Sequence, residues 1–305
     1  MVRPLVTFTN PWANDQDDMT VWHGPEGQSG MVFAADKHAD FVFVYSMAGQ
    51  LLYRLNYVAP GNIDTAYGVE TSVGIRDVIT FNLRKDGTLG VIAIDPMTGA
   101  LEALHGDFAI GDNYGSTVCV GSNGDLYVVI STKSGALKQF HLDLSGERSL
   151  LHLVKRWRVG SQAEGVVCDG STDRIYVAEE AVGIWSFPLD SRQPKLASSV
   201  AMVGKHGFVG DVEGITIYRG SRSRYLMASS QGSNSFHIFD LSPPHQHLKS
   251  FTIAGVGETD GIYVSNSPYK GADHGLFLAH NGWEPKEVIG VSLAEIFGLP
   301  WLAGE

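Results

Sequence analysis

The stretch Glu164–Asp190, EGVVCDGSTDRIYVAEEAVGIWSFPLD, contains three short apolar runs separated by turn residues. Apolar and polar positions alternate with strand period, and Gly, Ser, Thr and Asp mark the turns. The pattern returns. EGITIYRGSRSRYLMASSQGSNSFHIFDL begins at Glu213, and DGIYVSNSPYKGADHGLFLAHNG begins at Asp260. Upstream, YGSTVCVGSNGDLYVVISTKSGALKQFHLDL begins at Tyr114. Two earlier segments carry Asp64 and Asp18 in the corresponding place. Spacings of 46 to 50 residues give six units that nearly fill the 305-residue chain. Outer runs such as QLLYRLNY (50–57) and LKSFTIAG (248–255) supply a fourth strand to each unit. Four strands at this period predict an all-β fold: one domain, 1–305, forming a six-bladed propeller of antiparallel blades around a central channel. The N-terminal LVTFT is expected to add the outer strand of the last blade and close the ring. Only SLAEIFG (292–298) reads as helix.

Equivalent positions in a propeller meet around its axis. The residues leading the first strand of each unit are Asp18 (with Asp17), Asp64, Tyr114, Glu164, Glu213 and Asp260. The second strand runs back, so its last residue returns to the same rim. Those residues are Lys37, Arg84, Lys133, Glu180, Gln231 and Asn281. One mouth should therefore carry a divided ring, with Lys37, Arg84, Lys133 and Tyr114 on one side and the carboxylates on the other. So many carboxylates require bound cations. Oxygen ligands without Cys or His point to several Ca²⁺ ions. Glu180 should face metal, and Glu179 should point away, because neighbouring strand residues alternate. Calcium beside Lys and Arg suits a phosphate, and with it phosphoester hydrolysis by water activated by the cation.

The totals agree. A formal charge of −11, from 22 basic and 33 acidic residues, disfavours nucleic acid as a partner. No apolar run approaches the roughly 20 residues that span a bilayer, so no membrane partner is expected. MVRPLVTFTNPWAND does not read as a secretory leader. Cys119 and Cys168 lie in apolar runs and read as small core residues rather than a disulfide. His245 and His247, in HQH after SPP, read as a solvated turn. GVGETDG (255–261) precedes a strand, so it is not a nucleotide loop, and no Gly-x-Ser-x-Gly elbow is present.

Several of these segments, in order, resemble the β-propeller phytases, calcium-dependent enzymes that release phosphate from inositol hexakisphosphate. DDMTVW, SQAEG (161–165), IYVAEE (175–180), DVEGITIY (211–218), ASSQGSNS (228–235) and ETDGIYV (258–264) carry the resemblance over nearly the whole chain. It implies calcium ligation by Asp17, Asp18, Glu164, Glu180, Glu213 and Asp260. It also implies phosphate binding and catalysis by Lys37, Arg84, Tyr114 and Lys133, with Glu180 serving catalysis as well. Water activated by calcium would attack phosphorus directly, with no phosphoenzyme. In GNIDTA (61–66), Asn62 stays on the substrate side and Asp64 among the metal candidates. There, Gly61 and Ala66 replace an asparagine and an arginine of the family, and loss of that arginine predicts a weaker grip on a second phosphate. TIAGVG and LAHNGWEPKE depart from acidic family segments, which predicts loss of calcium sites that stabilise the fold. The resemblance implies a small-molecule phosphoester substrate, a secreted or periplasmic setting and a monomer. Two alternatives stay open: a weakly active or inactive calcium- and phosphate-binding propeller, and a metal-dependent lactonase.

Overall fold

The computed structural model describes residues 1–25, 30–189 and 198–298; parts of the first and fourth repeats (26–29 and 190–197) lie outside them. Six antiparallel sheets stand in a ring, each built from one repeat. The fourth repeat supplies Ala163–Asp169, Arg174–Glu179, Gly183–Pro188 and Ser198–Met202 from channel to rim. The third blade adds a two-residue strand, Gly106–Asp107, parallel to its outer strand. The last blade consists of Ile262–Ser265, Leu276–His280, Val288–Ser292 and, outermost, Val6–Phe8 from the N-terminus. Val6 pairs with Gly290 and Phe8 with Val288, so the chain's start closes the ring as expected. A single helix, Leu293–Phe297, follows among the described residues, capped by the Ser292 hydroxyl accepting from the Ala294 N–H.

A blade is apolar on both faces, so each face must be covered by a neighbouring sheet. Among the described residues the buried apolar side chains form six clusters, each between two adjacent blades. Trp22, Phe33 and Val44 of the first blade meet Ile63, Ile79 and Phe81 of the second. Phe8, Leu276 and Leu278 meet Met19, Val32 and Tyr45 across the closure. Each such side chain stabilises the ring by about 1.5–3 kcal/mol. The innermost strands touch in sequence around the axis, and the sixth touches the first. They enclose a channel of about 400 Å³.

Two expectations are corrected. Cys119 and Cys168 form a disulfide, with Cα atoms 5.8 Å apart. The third and fourth inner strands run side by side, which brings these residues within disulfide range. His245 lies in a turn as expected, whereas His247 does not. Both are partly buried, and His247 begins the outer strand His247–Phe251. Its Nε2 lies 3.2 Å from Nδ1 of the buried His237, whose pKa falls to about 4 through burial and the neighbouring imidazoles.

Candidate active site

The return of each second strand brings its end to one mouth. Lys37, Arg84, Glu180, Gln231 and Asn281 each follow immediately after a second strand, and Lys133 follows by two residues. The leading residues of the inner strands arrive at the same level because glycine follows them. A Cβ on Gly115 would stand 1.8 Å from the Glu164 carbonyl oxygen, and one on Gly165 would stand 2.0 Å from that of Glu213. Only glycine permits so close an approach of adjacent inner strands.

Asp36 sets up the first blade's contribution. It is fully buried at the end of Met31–Asp36. Its Oδ2 accepts from the N–H groups of Asn14 and Asp15 at 2.7 and 2.9 Å, and its Oδ1 from those of His38 and Ala39. The segment leading into the first inner strand is thereby tied to the turn that carries Lys37. Asp17 receives a charge-assisted hydrogen bond from Lys37 Nζ, and its other oxygen lies 3.3 Å from Arg84 Nη2. Arg84 also donates to Glu164 Oε1, and lies 3.5 Å from Asn62 Oδ1. Burial would raise the Asp17 pKa, but Arg84 and Lys37 outweigh it and hold Asp17 below the ordinary carboxylate range. The Arg84 guanidinium and the Lys133 ammonium each lie over the Tyr114 ring, 4.9 and 4.8 Å from its centroid. A Cβ at position 61 would collide with Arg84 Nε and the Asn82 amide, so Gly61 leaves the room that Arg84 occupies.

Beyond Glu164 the surroundings change. Glu164, Glu180 and Glu213 are buried and offer oxygens within 4.8 Å of one another. Glu180 Oε1 and Glu213 Oε2 have no hydrogen-bond partner among the described residues. Burial and then Glu164 push Glu180 to about 7, and burial, Glu164 and Glu180 push Glu213 to about 10. Asp260, which accepts from the Gln231 amide at 2.7 Å, is raised to about 9 by burial and Asp17. Unpaired buried carboxylate oxygens are costly unless a proton or cation joins them. Three converging carboxylates, two of them with an unpartnered oxygen, fit a hard divalent cation. Glu179 points away, accepting from Ser161 and Trp185 at 2.7 Å each.

The ring is less cleanly divided than expected, because Asp17 and Glu164 pair directly with cations. Asp18 and Asp64 are engaged just inside the ring of charges. Both line the channel, where Asp18 accepts from the Ile63 N–H at 3.0 Å and Asp64 from the Thr117 hydroxyl at 2.6 Å. Asp18 opens its strand, and Asp64 lies four residues inside its own. Ala66 packs with Val69, Val78 and Val118, roughly 13 Å along the strand from Asn62. An arginine lost there removes nothing from the mouth. Asp15 and His280 were not foreseen. His280 Nε2 lies 3.0 Å from Asp15 Oδ1 and Nδ1 lies 3.6 Å from Asp260 Oδ2. His280 is the last residue of a second strand, so its register was the available signal. Asp15 precedes its blade and gave none.

Comparison with known proteins bears on the family. The 3-phytase of Bacillus subtilis (strain 168) is 27% identical over 302 residues, spanning 90% of this chain and 78% of that protein. Among solved structures, a luciferin-regenerating enzyme superimposes with a TM-score of 0.58 at 11% identity over 95% of each chain. Kuenenia stuttgartiensis hydrazine synthase gives 0.55 at 13% identity over 87% of this chain and 80% of that one. At these identities the two solved structures share the fold alone. The family model for phytase matches residues 7–287. The chain belongs to the phytase family of phosphoric monoester hydrolases.

Proposed function

We propose that this chain releases phosphate from inositol hexakisphosphate or a similar phosphoester, with calcium held by Glu164, Glu180 and Glu213 and by the neighbouring Asp17 and Asp260. The observation that carries this reading is the pair of buried, unpartnered oxygens on Glu180 and Glu213, beside the arginine and lysine that grip anions. Calcium, when bound, supplies positive charge that draws electrons from the phosphoryl oxygens and lowers the pKa of water. Lys37, Arg84 and Lys133 orient the phosphoryl group at the mouth. Asn62 steadies Arg84, and the Tyr114 hydroxyl, facing Glu164, stands ready to donate to a phosphoryl oxygen. A lactone would give no reason for three cations to converge.

The calcium requirement and the monomeric state follow the family resemblance. The Cys119–Cys168 disulfide supports a secreted or periplasmic setting, where such bonds persist.

Phosphate release from inositol hexakisphosphate, measured in EDTA and after calcium is restored, tests the reading. Release that depends on calcium and falls about 10²- to 10³-fold in Glu180→Gln and Arg84→Ala supports it. Binding without release would mark an inactive propeller, and release that survives in both variants would remove the site.

A further inference from the structure

Three imidazoles outside the candidate active site gather on the fifth blade. His237 lies in the strand Ser235–Asp240, and His247 opens the neighbouring outer strand. Phe239 pairs with His247, so His237, two residues earlier, shares that face of the sheet. His206 arrives from the segment that joins the fourth blade to the fifth.

His237 Nδ1 lies 3.2 Å from His247 Nε2. Two imidazoles on one tetrahedral zinc, each about 2.0–2.1 Å from it, hold their nitrogens about 3.3 Å apart. The pair already stands at the span that a bridging cation requires. The far nitrogen of His237 is engaged: Nε2 lies 3.1 Å from Ser235 Oγ, which is 2.7 Å from Ser233 Oγ. A proton on Nε2, donated to Ser235, turns the Nδ1 lone pair toward His247. Metal-bound histidines are fixed in this way by a partner on the other ring nitrogen.

The His206 ring lies parallel to that of His247, with centroids 4.8 Å apart. A turn holds it there. The Gly204 N–H donates to the Phe208 carbonyl at 2.8 Å, and the Phe208 N–H to that of Lys205 at 2.9 Å. Phe208 is buried, its ring 5.0 Å from that of His237. The His206 ring faces its neighbour rather than the gap, so ligation requires rotation about its side-chain bonds. Its exposure permits that rotation.

Burial and the neighbouring imidazoles lower His237 to about 4, and burial and His206 lower His247. No carboxylate among the described residues offsets these effects. Both rings are therefore neutral at pH 7, and a cation has no charge-bearing proton to displace. Nitrogen donors without oxygen suit zinc and neighbouring transition metals rather than calcium.

We propose that His206, His237 and His247 form a zinc site, completed by water, separate from the carboxylate cluster. Bound zinc would tie the segment that leads to Glu213 to the outer strands of the fifth blade. The site stands whether or not the chain releases phosphate.

The test is calorimetric titration with Zn²⁺, in excess Ca²⁺ to occupy the carboxylates, of wild type, His247→Gln and His206→Gln previously stripped with EDTA. Wild type should take up one zinc. Affinity should fall at least about a hundredfold in His247→Gln and about tenfold in His206→Gln. Zinc should raise the melting temperature of wild type more than that of either variant. Matching melting temperatures before zinc confirm that the variants are folded. No uptake by wild type overturns the site. Uptake that either variant leaves unchanged also overturns it, because zinc would then be held by other groups.

Discussion

Gly165 lies directly against the main-chain oxygen of Glu213, so that a Cβ built on it would stand only 2.0 Å away. The contact joins the fourth and fifth inner strands where two of the clustered carboxylates begin. Because the obstacle is backbone, it cannot swing aside. Gly165→Ala should therefore push the two blades apart and cost about 1–3 kcal/mol of unfolding free energy in urea. Calcium affinity should weaken in the same variant. A stable Gly165→Ala protein with unaltered calcium binding would show that the close approach does not set the spacing of Glu164 and Glu213.

The pH dependence of stability without calcium follows from the same cluster. Glu180, Glu213 and Asp260 have folded pKa values of about 7, 10 and 9, above their ordinary values of 4.5, 4.5 and 3.8. A carboxyl raised on folding contributes stability that is present below its unfolded pKa and is lost as pH rises through its folded value. In EDTA the melting temperature should fall between about pH 5 and 9. Calcium should flatten that fall, and Glu213→Gln should reduce it. A melting temperature that rises with pH in EDTA would contradict the burial of these groups together.

The disulfide makes a separate prediction. Cys119 and Cys168 are 49 residues apart, and closing such a loop restricts the unfolded chain. Cys119→Ser should lower unfolding free energy by about 2–4 kcal/mol, and reductant should lower wild type but not the variant. Equal midpoints for wild type with and without reductant would mean that the bond contributes nothing.

Much of this arrangement was legible because a propeller repeats. The period set the blades, and counting two strands from Glu164 placed Glu180 beside it. Lys37, Arg84 and Lys133 emerged in the same way. What the register hid were departures from the repeat. Asp15 stands before the first inner strand, so it has no equivalent in the other blades. Asp18 and Asp64 were assigned to the mouth by position, and both line the channel together with Asn62. The disulfide had a signal that went unused: two cysteines nearly one repeat apart lie on neighbouring inner strands, which a ring brings together.

Calcium titration by isothermal calorimetry, on wild type and on the Glu180→Gln, Glu213→Gln double variant, bears most directly on the central claim. Wild type should bind calcium at this mouth, and the double variant, with two of three converging carboxylates neutralised, should bind there at least about a hundredfold more weakly. Equal affinity and stoichiometry in the two proteins would contradict the account.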